Sequence, residues 1–153
     1  MNSFTEYIRN YTNGKSVCIL GFGREGKSTY KILKRYCSPS KLAVADLNPI
    51  DRDSCGLPEN VQLICGADYQ SCLDDFDIVF KSPGIVLEKF PSELKCEITS
   101  ETQIFFTVFR EQIIGITGTK GKSTTSSLWN GIKSSLSGTW NRSEERRVGK
   151  ECR

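Results

Sequence analysis

Apolar side chains recur at Phe4, Tyr7, Ile8 and Tyr11, a spacing that predicts a short amphipathic helix over the first dozen residues. Asn13-Gly14 ends it. The period then changes. Ser16-Val-Cys-Ile-Leu20 is a continuous apolar run of strand length, and a helix from about Arg24 to Cys37 follows, with Gly26, Tyr30, Leu33 and Cys37 on its inner face. Ser38-Pro39-Ser40 breaks that helix, and Lys41-Leu-Ala-Val-Ala45 supplies a second strand. The polar stretch 48–59, with two prolines, reads as a surface loop. Val61–Ile64 and Asp77–Phe80 are the third and fourth strands, with a short helix over Tyr69–Leu73 between them. Lys95–Ile98 is a fifth, less apolar strand. Ser100, with Gln103 at the capping-box offset, then opens a helix through Ile104-Phe-Phe-Thr-Val-Phe109.

Arg110-Glu111-Gln112 is a polar hinge. Ile113-Ile-Gly-Ile116 after it reads as a buried strand, followed by a glycine turn and a helix that carries Leu128, Ile132 and Leu136 on one face. Strands alternating with helices predict an α/β fold. Residues 1–111 are expected to form a Rossmann-like, mostly parallel sheet with helices on both faces. Residues 112–141 are expected to hold the first strand, P-loop and helix of a truncated ATPase domain.

Two glycine turns carry the candidate chemistry. The first is Gly21-Phe-Gly23-Arg24-Glu25-Gly26, a G-x-G-x-x-G between a strand and a helix, with Asp46 at the end of the next strand. A Rossmann unit keeps a nucleoside-binding acid about 20 residues beyond its glycines. Glycines that serve only helix–strand packing, and an Asp46 that merely caps the turn Asp-Leu-Asn-Pro, fit the same residues. The second turn is Gly118-Thr119-Lys120-Gly121-Lys122-Ser123-Thr124. It shortens the G-x-x-x-x-G-K-[ST] pattern, because Ile116 stands where the first glycine would be. Backbone N–H groups and a helix N-terminus there suit a phosphate, Lys122 would reach the β- and γ-phosphates, and the Ser123 hydroxyl would sit on Mg²⁺. Lys81-Ser82-Pro83-Gly84-Ile85 puts Pro-Gly in a predicted type II turn at the carboxyl end of a strand, where an ordinary turn and a ligand loop both fit.

Composition narrows the classes. Hydrophobic content of 37% and charged content of 25% describe a globular chain, and a net charge of +3 does not argue for nucleic acid. No apolar run is long enough to span a membrane and no secretory leader is present, so a cytoplasmic protein is expected. There is no histidine, which excludes Ser-His and Cys-His nucleophiles within this chain. The cysteines number seven with no C-x-x-C pair, so reduced, buried thiols are expected rather than zinc. Residues 142–153 carry five basic and three acidic side chains, +2 of the +3, and have no useful apolar period. This tail resembles the in-frame translation of a sequencing-library adapter, and is expected to be an artefact rather than part of the gene.

Taken in order, the first glycine turn, Asp46, Lys81-Ser-Pro-Gly-Ile85, Ser100-Glu-Thr-Gln-Ile-Phe105 and Gly115-Ile-Thr-Gly-Thr-Lys-Gly-Lys-Ser-Thr124 resemble the Mur ligases of peptidoglycan synthesis. Ser-Pro-Gly-Ile and Gly-Thr-Lys-Gly-Lys-Ser resemble their D-glutamate-adding branch, over residues 5–128. The resemblance implies that residues 1–111 hold UDP-N-acetylmuramoyl-L-alanine. Gly21, Gly23, Arg24, Glu25 and Gly26 would lie at its diphosphate, Asp46 and Leu47 at its uridine, and Ser82, Pro83 and Gly84 along its sugar–phosphate. Leu47 departs from the pattern, since it cannot make the hydrogen bond a polar residue gives there in some relatives. Gly118–Thr124 would hold ATP with Mg²⁺, Lys122 being catalytic and Ser123 the metal ligand.

D-glutamate would be the second substrate of a monomeric enzyme that binds neither nucleic acid nor membrane. The family's magnesium-binding Glu, its His, its carbamylated Lys and its D-glutamate domain are absent, so an inactive N-terminal fragment is expected. Two other readings are an NAD(P)-dependent oxidoreductase with Asp46 on the adenosine ribose, and a small nucleotide-binding regulator.

Overall fold

The computed structural model describes residues 3–136. The chain divides into two compact units, Met1–Gln112 and Ile113–Arg153.

The first unit is built on five parallel strands: β1 (Ser16–Leu20), β2 (Lys41–Asp46), β3 (Gln62–Cys65), β4 (Ile78–Lys81) and β5 (Glu97–Thr99). Their spatial order is β3-β2-β1-β4-β5. That is the Rossmann order, with the reversal of winding falling between β1 and β4. Val17, Ile19, Val44, Ile78 and Phe80 belong to one buried cluster, and Cys18, Leu20, Ala43, Ala45 and Val79 to another. Successive strand residues point to opposite faces, and both faces are covered, which is why the central strands are apolar without alternation.

Helices cover the two faces unevenly. Ile8 of α1 (Ser3–Thr12), Tyr30 and Leu33 of α2 (Arg24–Tyr36) and Ile104 of α4 (Glu101–Val108) all pack on the first face. The second face is covered by Tyr69, Leu73 and Phe76, from a segment whose regular structure is one 3-10 turn at Leu73–Asp75. The α-helix expected over Tyr69–Leu73 is therefore absent. Turn bonds replace it: Tyr69 N to Gly66 O at 3.2 Å and Ser71 N to Asp68 O at 2.9 Å. The 48–59 loop gains a single helical turn, α3 (Arg52–Cys55), because the Asp51 side chain caps it by accepting from Asp53 N.

In the second unit, α5 (Lys122–Leu136) forms where expected. The strand expected at Ile113–Ile116 does not. These residues have no regular structure, and Ile114 is 59% exposed. A strand needs a neighbour to accept and donate its ladder bonds, and among the described residues of this unit there is no other strand. Leu128 and Ile132, which share one face of that helix, are exposed. Residues 137–153, including the 142–153 tail, lie outside the described residues.

Candidate nucleotide-binding site

At the reversal point the carboxyl ends of β1 and β4 are tied together. Ser82 N donates to Leu20 O at 2.9 Å, extending the ladder by one residue, and Ser82 Oγ donates to Gly21 O at 3.0 Å. Gly21 has a φ of 89°, and a Cβ there would meet Ser82 Cβ and Ile85 Cγ1 at 3.0 Å. A side chain at this position would be strained and would have to displace Ser82.

The three glycines of the turn do different work. A Cβ on Gly26 would come within 2.0 Å of Gly21 O, so the third glycine is closed by the backbone of the first. That is packing of helix on strand. Gly23, the N-cap of α2, is open, with nothing within 4 Å of an added Cβ. Arg24 and Glu25 are the first residues of α2. Their amides belong to the first helical turn, whose N–H groups have no intrahelical acceptor and carry the positive end of the helix dipole. An open glycine before an N-terminus is an arrangement that admits an anion to the backbone.

Asp46 closes the other side. Its Oδ2 accepts from Phe22 N at 2.6 Å and its Oδ1 from Asn48 N at 2.9 Å. Oδ1 also accepts from Asn48 Nδ2 at 3.4 Å, so the carboxylate holds the middle of the glycine turn and caps its own turn at once, with a lone pair left on Oδ2. Leu47 beside it is 55% exposed. Pro83 and Gly84 are exposed at the tip of the Ser82–Ile85 turn, closed by Ile85 N to Ser82 O at 3.1 Å. Gly84 is not among the glycines with positive φ, so the turn is not the expected type II.

Three side chains that the sequence did not single out support this region. Lys81 Nζ donates to Ile85 O at 2.7 Å and Ser82 O at 3.2 Å, holding the turn by its carbonyls. Gln70 Nε2 donates to Val86 O at 3.0 Å while its Oε1 accepts from Glu88 N at 3.2 Å, holding the chain that leaves the turn. Glu101, the first residue of α4, lies against α2 near Ser28, Thr29 and Glu25, and burial pushes its carboxyl above the usual glutamate range. Lys81 and Glu101 stand inside motifs the sequence already marks. Gln70 has no local signal, since its partners lie 16 and 18 residues away.

Gly118 and Gly121 adopt φ values of 144° and 84°, which only glycine takes without strain. Thr125 N donates to Gly121 O at 2.9 Å, so Gly121 stands at the helix start and Lys122, Ser123 and Thr124 form the first turn. The Lys122 ammonium donates to the Gly118 carbonyl, folding back over the loop formed by Thr119 and Lys120. Backbone donors, a helix N-terminus and a lysine over one short loop fit a phosphate chain.

Strand order and the first glycine turn define the class: a Rossmann-like α/β unit. No protein-family model matches the chain. Two curated Streptococcus pyogenes proteins, each named UDP-N-acetylmuramoylalanine–D-glutamate ligase, are 32% and 31% identical to it over 129 residues. The match covers 79% of this chain and 28% of each relative. The chain is similar to the N-terminal part of these ligases and spans just over a quarter of their length.

Proposed function

We propose that the Met1–Gln112 unit binds the UDP of UDP-N-acetylmuramoyl-L-alanine, and that the chain is the substrate-holding head of a D-glutamate-adding ligase. The observation that carries this is the division of labour in the first glycine turn. Gly26 is closed by Gly21 O while Gly23 is open at a helix N-terminus, at the one place in the sheet where the winding reverses. Amides at Arg24 and Glu25 would take the diphosphate. Asp46 would accept from the uridine with the lone pair left on Oδ2, beside the apolar Leu47, and the Ser82-Pro83-Gly84 edge would line the sugar–phosphate.

The Gly118–Thr124 loop is the ATP site in this reading. Lys122 would exchange the Gly118 carbonyl for the β- and γ-phosphates, and Ser123 would offer its hydroxyl to Mg²⁺. In the complete enzyme, the L-alanyl carboxylate takes the γ-phosphoryl group, and the D-glutamate amine displaces phosphate from the resulting acyl phosphate. Lys122 would offset the charge that builds on the transferred group. The same reading implies a monomeric, cytoplasmic protein that engages neither nucleic acid nor membrane, and no turnover by this chain alone. Among the described residues, no helix is long and apolar enough to cross a membrane.

Melting the full chain with UDP-N-acetylmuramoyl-L-alanine, NAD or Mg·ATP tests the reading, because a ligand of the folded state raises the melting temperature by mass action. The nucleotide sugar is expected to raise it. A rise with NAD and none with the nucleotide sugar would replace this reading by the oxidoreductase one.

A further inference from the structure

Three thiols are gathered on the second face of the sheet. Cys18, in the middle of β1, and Cys96, just before β5, are buried in one apolar cluster, and Cys72, half-buried, packs against it. Cys72 Sγ donates to Tyr69 O at 3.4 Å, which fixes its side chain on the 69–76 segment. Cys72 thus packs against the cluster that holds Cys18, and each of the two thiols shifts the acidity of the other. Among the described residues, no three His, Cys, Asp or Glu side chains are arranged to hold a metal ion, and the six cysteines are all free thiols.

We propose that Cys72 is a site of thiol oxidation and Cys18 its resolving partner, the two closing a disulfide between β1 and the 69–76 segment on exposure to a peroxide. The order follows from access. Cys18 is fully buried and cannot meet an oxidant first, whereas Cys72 is half-exposed at the edge of the same cluster. The acidities agree with that order. The neighbouring Cys18 thiol lowers the Cys72 thiol to about 7, with a backbone hydrogen bond and Lys41 assisting and burial and Asp75 opposing. The same neighbour pair, together with burial and Cys96, pushes Cys18 well up, with Lys41 opposing. Cys96 is raised by burial and by Asp74, so it is the poorer nucleophile beside Cys72.

The chemistry balances without a further reagent. The Cys72 thiolate attacks one peroxide oxygen, the O–O bond breaks, and the leaving hydroxide takes up a proton as water, leaving a sulfenic acid. Cys18 then attacks that sulfur, the S–S bond forms, and the sulfenic hydroxyl leaves as water with the Cys18 proton. Two thiols lose two electrons to one peroxide. The link would join β1, which runs into the first glycine turn, to the segment whose Gln70 holds the chain beyond Ser82–Ile85.

The test uses the reduced full chain, hydrogen peroxide, alkylation of the remaining thiols and peptide mass mapping. The expected product has lost two hydrogens, yields a Cys18–Cys72 linked peptide, reverts with dithiothreitol, and forms faster as pH rises through about 7. Cys72→Ser should abolish the link, and Cys18→Ser should leave a Cys72 sulfenic acid that dimedone traps. Should Cys18→Ser fail to fold, dimedone added to the wild type at early times reports the same intermediate. A link mapping to any other pair (Cys152 included), a Cys72 carried to sulfinic acid with Cys18 still alkylatable, or two unreacted thiols overturns the proposal.

Discussion

The amide of Phe22 donates a 2.6 Å hydrogen bond to the Asp46 carboxylate, joining the middle of the glycine turn to the end of the neighbouring strand. The acid that would read the nucleoside therefore also shapes the loop that would hold its diphosphate. Loop and acid are one unit, and changing either should disturb both.

Asp46→Ala leaves the amides of Phe22 and Asn48 without their acceptor. Hydrogen bonds to a charged group contribute about 1.5–3 kcal/mol each, less where water can replace them, so a loss of about 2 kcal/mol of stability is expected. UDP-N-acetylmuramoyl-L-alanine binding should weaken at least about tenfold, the equivalent of about 1.4 kcal/mol. Asp46→Asn keeps one acceptor oxygen and should lose less of both. Urea unfolding and calorimetric titration on the two variants give the comparison. Equal stability and affinity in Asp46→Ala would detach the acid from the loop.

Glu101 offers a pH test. Its Oε1 is buried with no hydrogen-bond partner, and burial, with Glu25 assisting, raises its carboxyl pKa against the opposing hydroxyls of Ser28 and Thr29. The folded state then holds this proton at pH values where the unfolded chain has released it. Stability contributed by the protonated form is present below the unfolded glutamate pKa and is lost as pH rises through the higher folded one. Glu101→Gln should accordingly raise the melting temperature at neutral pH and make stability flatter across that interval. A neutral-pH melting temperature below wild type would show that the carboxylate is held by charge rather than merely tolerated.

Amide exchange should separate the two units. Val17–Leu20 sit in the centre of the sheet and are fully buried, so their amides should exchange only on global opening. Ile114 and Ile116 have no regular structure and should exchange within the dead time of a manual experiment. Protection at Ile116 comparable to Ile19 would mean that this segment is paired in solution.

What the sequence reveals follows how local each determinant is. The run Ser16–Leu20, the glycine spacing and the Ser100–Gln103 cap are written within a few residues, and β1, α2 and the start of α4 form as they predict. Tyr69, Leu73 and Phe76 have helical spacing and are buried together, yet the chain beneath them makes turns. Periodicity records which side chains go inside, and a string of turns can deliver the same ones. Ile113-Ile-Gly-Ile116 has strand composition, but a strand exists only with a neighbour, and that information is not in the segment. Pro83-Gly84 suits a type II turn, and the backbone takes another form because glycine tolerates both. The supporting roles of Glu101, Gln70 and Lys81 depend on partners from α2, the 85–88 chain and the turn, which only the fold assembles.

The claim that Gly23 opens the diphosphate site is tested most directly by calorimetric titration of UDP-N-acetylmuramoyl-L-alanine into wild type and Gly23→Val. A valine there meets no atom within 4 Å of its Cβ and needs no positive φ, so the fold should survive. Gly26→Ala, whose Cβ would lie 2.0 Å from Gly21 O, is the destabilised control. The account predicts saturable binding to wild type and none to a folded, normally melting Gly23→Val protein. Undiminished affinity in that variant would contradict it.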